Sequence, residues 1–204
     1  MTLKYLFNML LAVFLGLGNL LASSTSSDIA PAQDNSSKLL IIGARPWDSD
    51  LQGVKGLEKA SFIDLRDSGI PTPPPTNFYK MDVESAAFDD FVKQHKGQFD
   101  TIIIDYSTIK FFDNFFLTFI NCKHLLKVGG KFLVPAIRAQ PTLNSVPVDR
   151  SQADKAKGAL GSCKFSEIKE HTIDDLPTDP AYDLLRREER KRISDGYTIF
   201  IATK

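Results

Sequence analysis

Cysteine is nearly missing, with only Cys122 and Cys163 in 204 residues. Two thiols cannot build a disulfide-dense scaffold or a cysteine-only zinc site. The three histidines, His95, His124 and His171, are scattered without metal-ligand spacing, so no metal site is expected. An excess of either charge is also absent, since 25 Lys and Arg balance 25 Asp and Glu. That balance argues against a general nucleic-acid binder, which relies on a basic surplus. Neither a P-loop nor a nucleophile elbow occurs. Glycine (12) and proline (11) stand at ordinary levels, and 43% hydrophobic residues suffice for a real core.

Long apolar runs are absent except at the start. Lys4 precedes the stretch from Leu6 to Ala22, which only Asn8, Gly16, Gly18 and Asn19 interrupt, and a Ser-rich exit follows. A charged start, an apolar middle and small residues at the exit describe a secretory signal peptide over residues 1–22. The alternative is an uncleaved anchor, the one case in which a membrane is a partner, but a spanning helix wants roughly 20 apolar residues. Export, as a secreted or periplasmic protein, is therefore expected. Residues 23–37 hold six Ser, Thr25 and Pro31 without apolar periodicity and read as a flexible linker. One folded domain is expected over residues 38–204.

Within that domain, short apolar runs alternate with helical patterns. Leu39–Gly43, Ser61–Leu65, Phe78–Met81, Thr101–Asp105, Lys131–Pro135, Phe165–Ile173 and Tyr197–Ala202 read as strands. Helices are expected from Asp48 or Ser49 to Ala60, from Ser85 to Lys96, from Thr108 to Val128 and from Asp149 or Ser151 to Leu160, with another starting at Asp179-Pro180. This alternation predicts an α/β fold: a Rossmann-like, mostly parallel seven-stranded sheet with helices on both faces and a final antiparallel strand. Ligands of such sheets bind at the carboxyl ends of the strands. Gly43, Arg45, Asp64, Asp82, Asp105 and Tyr106 gather at that edge. Each Asp there has a plainer reading as the cap of the helix that follows, as Asp82 could be for the helix from Ser85. Cys122 and Cys163 are expected to be separate buried thiols, and the basic run Arg186–Arg192 a solvated helix face.

Gln98-Phe-Asp-Thr-Ile-Ile-Ile-Asp105, then a helix, then Leu125-Leu-Lys-Val-Gly-Gly-Lys-Phe-Leu-Val134 resembles the fourth strand, helix and "LLKPGG" turn of class I S-adenosylmethionine-dependent methyltransferases. The resemblance spans about residues 38–204. It implies S-adenosyl-L-methionine as cofactor, with Gly43 and Arg45 at its amino-acid part, Asp64 on the ribose hydroxyls and Asp82 near the adenine. It places Asp105 and Tyr106 beside the transferring methyl as the catalytic pair. The acceptor substrate or protein partner is unknown. The family's glycine-rich loop is degenerate here: Gly43 matches its first glycine, Arg45 stands at the second, Trp47 near the third, and Ile41 replaces the strand's acid. Arg45 would therefore either block the pocket or pair with the cofactor's carboxylate. Two functions follow from the resemblance: an exported methyltransferase, or a catalytically inactive binding module on the same fold.

Overall fold

Leu39–Ile42 has no polar residue, and as strand β1 all four of its side chains are buried. A strand without a solvent face belongs in the middle of a sheet. In this computed structural model it pairs in parallel with β2 (Ser61–Asp64) on one side and β4 (Phe99–Ile104) on the other. The description covers residues 38–204 apart from 52, 55, 67, 110, 138–151, 179–181 and 187–196. With β3 (Phe78–Lys80), β5 (Leu126–Ile137), β6 (Glu167–His171) and β7 (Tyr197–Thr203), the strands form one seven-stranded sheet in the order β3-β2-β1-β4-β5-β7-β6. The first five strands run parallel. β7 runs antiparallel to both of its neighbours, β5 and β6, and is the final antiparallel strand that was expected.

Side chains two apart on a strand share a face. Leu40, Ile42, Ile102 and Ile104 therefore join one core, and Leu39, Ile41 and Ile103 the other. The first core is roofed by α1 (Ala86–His95), α3 (Phe115–Leu125) and α4 (Gln152–Ser162), through Phe88, Phe91, Phe119, Cys122 and Leu160. Ser85 is the N-cap of α1, and Gly97 lies just beyond its end at φ +67°. The second core is covered mainly by irregular chain, with Leu51, Val54 and Leu57 on one flank and Leu176 and the helical residues 182–186 on the other.

Two expected helices change. The one over 48–60 shrinks to a 3-10 turn, Ser49–Leu51, because Gly53 and Gly56 adopt positive φ of 73° and 84°. The long helix over 108–128 divides into a single turn, α2 (Tyr106–Ile109), and α3. Asn114 makes the break, since its side chain accepts from Leu117 N at 2.9 Å and caps α3. α3 ends at Leu125, ahead of Gly129-Gly130. The pairing of β4 with β5 then shifts between Phe99–Leu126 and Thr101–Lys131, and Gly129 (φ +77°) lies inside that irregularity. The readings on residues 1–37, the caps at Asp149, Ser151 and Asp179-Pro180, and most of Arg186–Arg192 lie outside the described residues. No described helix is long and apolar enough to cross a membrane.

Candidate functional site

A cleft of about 480 Å³ opens at the carboxyl ends of the first three strands. That volume falls in the roughly 300–1,000 Å³ range of small-molecule pockets. Ile42 ends β1 and Gly43 follows it, Ile63 and Asp64 end β2 and Leu65 and Arg66 follow it, Met81 to Glu84 follow β3, and Thr108 and Phe111 to Asp113 arrive from beyond β4. The parallel register makes this convergence: Ile42 lies beside Ile63, and Asp64 beside Lys80. Gly43, Asp64 and Asp82 are thus brought together. Arg45 and Asp105 are not among the described lining residues. Tyr106 opens α2, and its side chain is outside the described residues.

Gly43 has φ +93°, and its amide donates to Ile63 O at 2.7 Å. A Cβ built on it would lie 1.8 Å from Thr108 Oγ1. Glycine is required here, and the close approach it permits is taken by the chain's own Thr108. Arg45 is bonded within the loops after β1 and β2. Its Nε and Nη2 donate to Asp48 Oδ1 at 2.9 and 2.7 Å, its Nη1 donates to Ser68 O and Oγ, and its amide donates to Asp48 Oδ2. Trp47 packs edge-on against Phe78 with centroids 4.8 Å apart. The loop after β1 is thereby stitched to the loop after β2. In this arrangement the Arg45 donors are engaged by Asp48 and Ser68.

Asp64 is nearly inaccessible, with its side chain 4% exposed. Its carboxylate is held by Arg66, a residue the sequence reading passed over. The Arg66 amide and Nε donate to Oδ1 at 2.8 and 3.1 Å, Nε also reaches Oδ2 at 2.8 Å, and Nη2 donates to Oδ2. Nη2 further reaches Gly43 O at 2.9 Å and Asp48 Oδ2 at 3.4 Å. The hydrogen bond to Asp64 raises the Arg66 pKa; burial opposes it, and the charges of Asp64, Asp48 and Asp105 add to the rise. Residues two apart in extended chain share a face, and that spacing was the available signal for Arg66.

Asp82 is exposed, and its Oδ1 accepts from Glu84 N at 2.9 Å. Its carbonyl accepts from Ser85 Oγ at 2.6 Å, so it shapes the turn into α1, but the N-cap position itself is taken by Ser85. Glu84, also missed, closes the far wall. It accepts from the amides of Asp113 and Asn114 at 3.1 and 2.7 Å and from Thr118 Oγ1 at 3.4 Å. Asp105 is buried, its amide donating to Ile42 O at 2.7 Å and its carbonyl accepting from Thr108 N at 3.0 Å. Among the lining residues, Leu65 and Phe111 are 61% and 71% exposed. Among the described residues, no group of three or more His, Cys, Asp or Glu is placed to hold a metal ion.

No family model and no curated protein matches the chain. Solved structures do. A SAM-dependent methyltransferase from Archaeoglobus fulgidus is 15% identical, with 83% of this chain and 87% of that one aligned at a TM-score of 0.51. The citrinin polyketide synthase CMeT domain is also 15% identical, with a TM-score of 0.53. That alignment covers 82% of this chain and 46% of the CMeT chain, so here the match spans about half of the relative. The [4+2]-cyclase SpnF is 14% identical, with 84% and 76% covered at a TM-score of 0.51. The chain has the fold of class I S-adenosylmethionine-dependent methyltransferases. At these identities the likeness is one of fold, and a fold that carries a cyclase as well as methyltransferases leaves the reaction to be argued from the site.

Proposed function

We propose that the cleft binds S-adenosyl-L-methionine or its demethylated product, in an exported methyltransferase-like protein. The observation that carries this reading is that Gly43, Asp64 and Asp82, from three successive parallel strand ends, line one cleft of suitable size. The adenosyl half fits the residue types present, once Arg66 leaves the Asp64 carboxylate. Asp64 is acceptor-only, which suits two adjacent ribose hydroxyls. Ile63, Leu65 and Val83 offer apolar surface to a base, and Asp82 stands beside them for its amino group. The amino-acid half fits less well, because the amides of Gly43 and Arg45 are already spent on Ile63 O and Asp48.

When bound, the cofactor supplies an electrophilic methyl on a sulfonium. This chain's residues would orient it by its ribose and exclude water through the apolar walls, since in-line displacement depends on alignment in a dry site. The resemblance assigns Asp105 and Tyr106 to the reacting end. Because Asp105 does not line the cleft, a second reading stands beside the first: a catalytically inactive module that binds the same ligand. The acceptor or protein partner is undefined in both readings. Export rests on the sequence of residues 1–22.

Calorimetric titration of the chain with S-adenosylhomocysteine tests the ligand. Binding is expected, and Asp64→Ala should weaken it by about 1.5–3 kcal/mol, the scale of hydrogen bonds to a charged group. Absence of binding at millimolar ligand, with or without the Arg66 substitution below, overturns the reading. Transfer of the methyl group from S-adenosylmethionine to a nucleophilic acceptor in a screen of candidate substrates, with S-adenosylhomocysteine left behind, separates the enzyme from the inactive module.

A further inference from the structure

We propose that Arg66 decides which ligand the cleft admits: its guanidinium occupies, on Asp64, the place of a ligand's ribose diol, and a diol binds only by displacing it. The inference rests on the ligand reading above. A guanidinium edge presents two N–H donors to the two oxygens of one carboxylate. A cis-diol presents two O–H donors to the same pair. The Arg66 amide, Nε and Nη2 together engage both oxygens of Asp64, so the buried carboxylate is satisfied before any ligand arrives.

Displacement is geometrically simple. Arg66 lies only two residues from Asp64, and its side chain is 49% exposed against 4% for Asp64. The guanidinium can swing into solvent by side-chain rotation while the sheet stays in place. Its remaining contacts are Gly43 O and a long approach to Asp48, whose carboxylate keeps Arg45 as partner. The exchange is nevertheless unequal. A cation paired with a buried carboxylate gives way to neutral hydroxyls, and separating such a pair is costly. Arg66 therefore lowers affinity for diol-bearing ligands and leaves ligands that do not use Asp64 unaffected.

The test compares the wild-type chain with Arg66→Gln and Arg66→Lys, each titrated with S-adenosylhomocysteine and with its 2′,3′-dideoxy analogue. Gln removes the charge and the fork; Lys keeps a charge but engages at a single point. Arg66→Gln should bind S-adenosylhomocysteine about tenfold more tightly than wild type, with no gain for the dideoxy analogue. Arg66→Lys should show a smaller gain of the same sign, and it decides the matter alone if the Gln variant does not fold. Wild-type binding that both variants leave unchanged or weaken overturns the role of Arg66 but spares the ligand reading. An equal gain for the dideoxy analogue overturns it too, because the effect would not pass through Asp64. If no form binds, both inferences fall together.

Discussion

Two arginines follow strands that end at the cleft, and their partners separate their roles. Arg66 sits over the one buried carboxylate that a ribose could use, while Arg45 is committed to Asp48 and Ser68. The Arg45–Asp48 pair is largely shielded, at 14% and 21% exposed, so its bonds count toward stability more than a surface pair would. Arg45→Gly should therefore leave S-adenosylhomocysteine affinity within about twofold and lower unfolding stability by about 1.5–3 kcal/mol. Denaturant unfolding and calorimetry on the same variant check both halves. A large change in affinity with unchanged stability would return Arg45 to the binding site. Gly43 carries a related lesson. Its positive φ matches what a cofactor loop needs, yet the atom it makes room for is Thr108 Oγ1.

At the scale of elements, the short connection between α2 and α3 builds much of the cleft wall. It brings Phe111 and Phe112 to the opening and is pinned from across the cleft by Glu84. The other end of α3 is electrostatically crowded. Lys123 donates to the carbonyls of Cys163 and Lys164, tying α3 to the end of α4. Lys127, expected in the helix, instead pairs with Asp100 at 2.8 Å. Burial, then the charges of Lys96, Lys204 and Lys123, lowers the His124 pKa. The unfolded chain consequently binds a proton on His124 more readily than the folded one. Its effect on stability is absent above the ordinary histidine value of about 6.5 and becomes a loss as pH falls through that value toward the depressed folded one. Urea unfolding from about pH 7.5 down to about pH 5.5 should show this decline. His124→Gln should flatten it. An unchanged slope in the variant would assign the decline to other groups.

For the whole molecule, the compartment in which the domain works bears on its function. A signal peptide over residues 1–22 would carry a cofactor-binding fold away from the compartment that makes the cofactor. A binding module tolerates that separation more easily than an enzyme needing constant supply. Intact-mass measurement of protein recovered from its native host should give a chain starting near Ser23 or Thr25. A chain still beginning at Met1 would contradict cleavage and favour the anchored alternative.

The order of the elements was legible in the sequence because it rests on local causes. Leu39–Ile42 and Ile102–Ile104 are apolar on both faces and had to be central strands. Ser85, Gly97 and the stripe Phe88, Phe91 and Val92 bounded α1 nearly to the residue. The acids at strand ends followed from strand order, so Asp64 and Asp82 could be placed at one edge in advance. Tertiary structure decided what those acids touch. Whether Asp64 is free depends on where a flexible Arg66 side chain folds back, and the spacing allowed that contact without requiring it. Whether Gly43 leaves room for a ligand depends on Thr108, 65 positions along the chain. The break before α3 combines the local cap of Asn114 with a distant partner. Phe112, Phe115, Phe116 and Phe119 keep helical spacing through it, while the amides of Asp113 and Asn114 turn aside to Glu84 on the neighbouring loop. Local pattern governs elements because backbone hydrogen bonds and burial repeat along the chain. The site was left to tertiary structure because a side chain's partner is chosen only when distant segments meet.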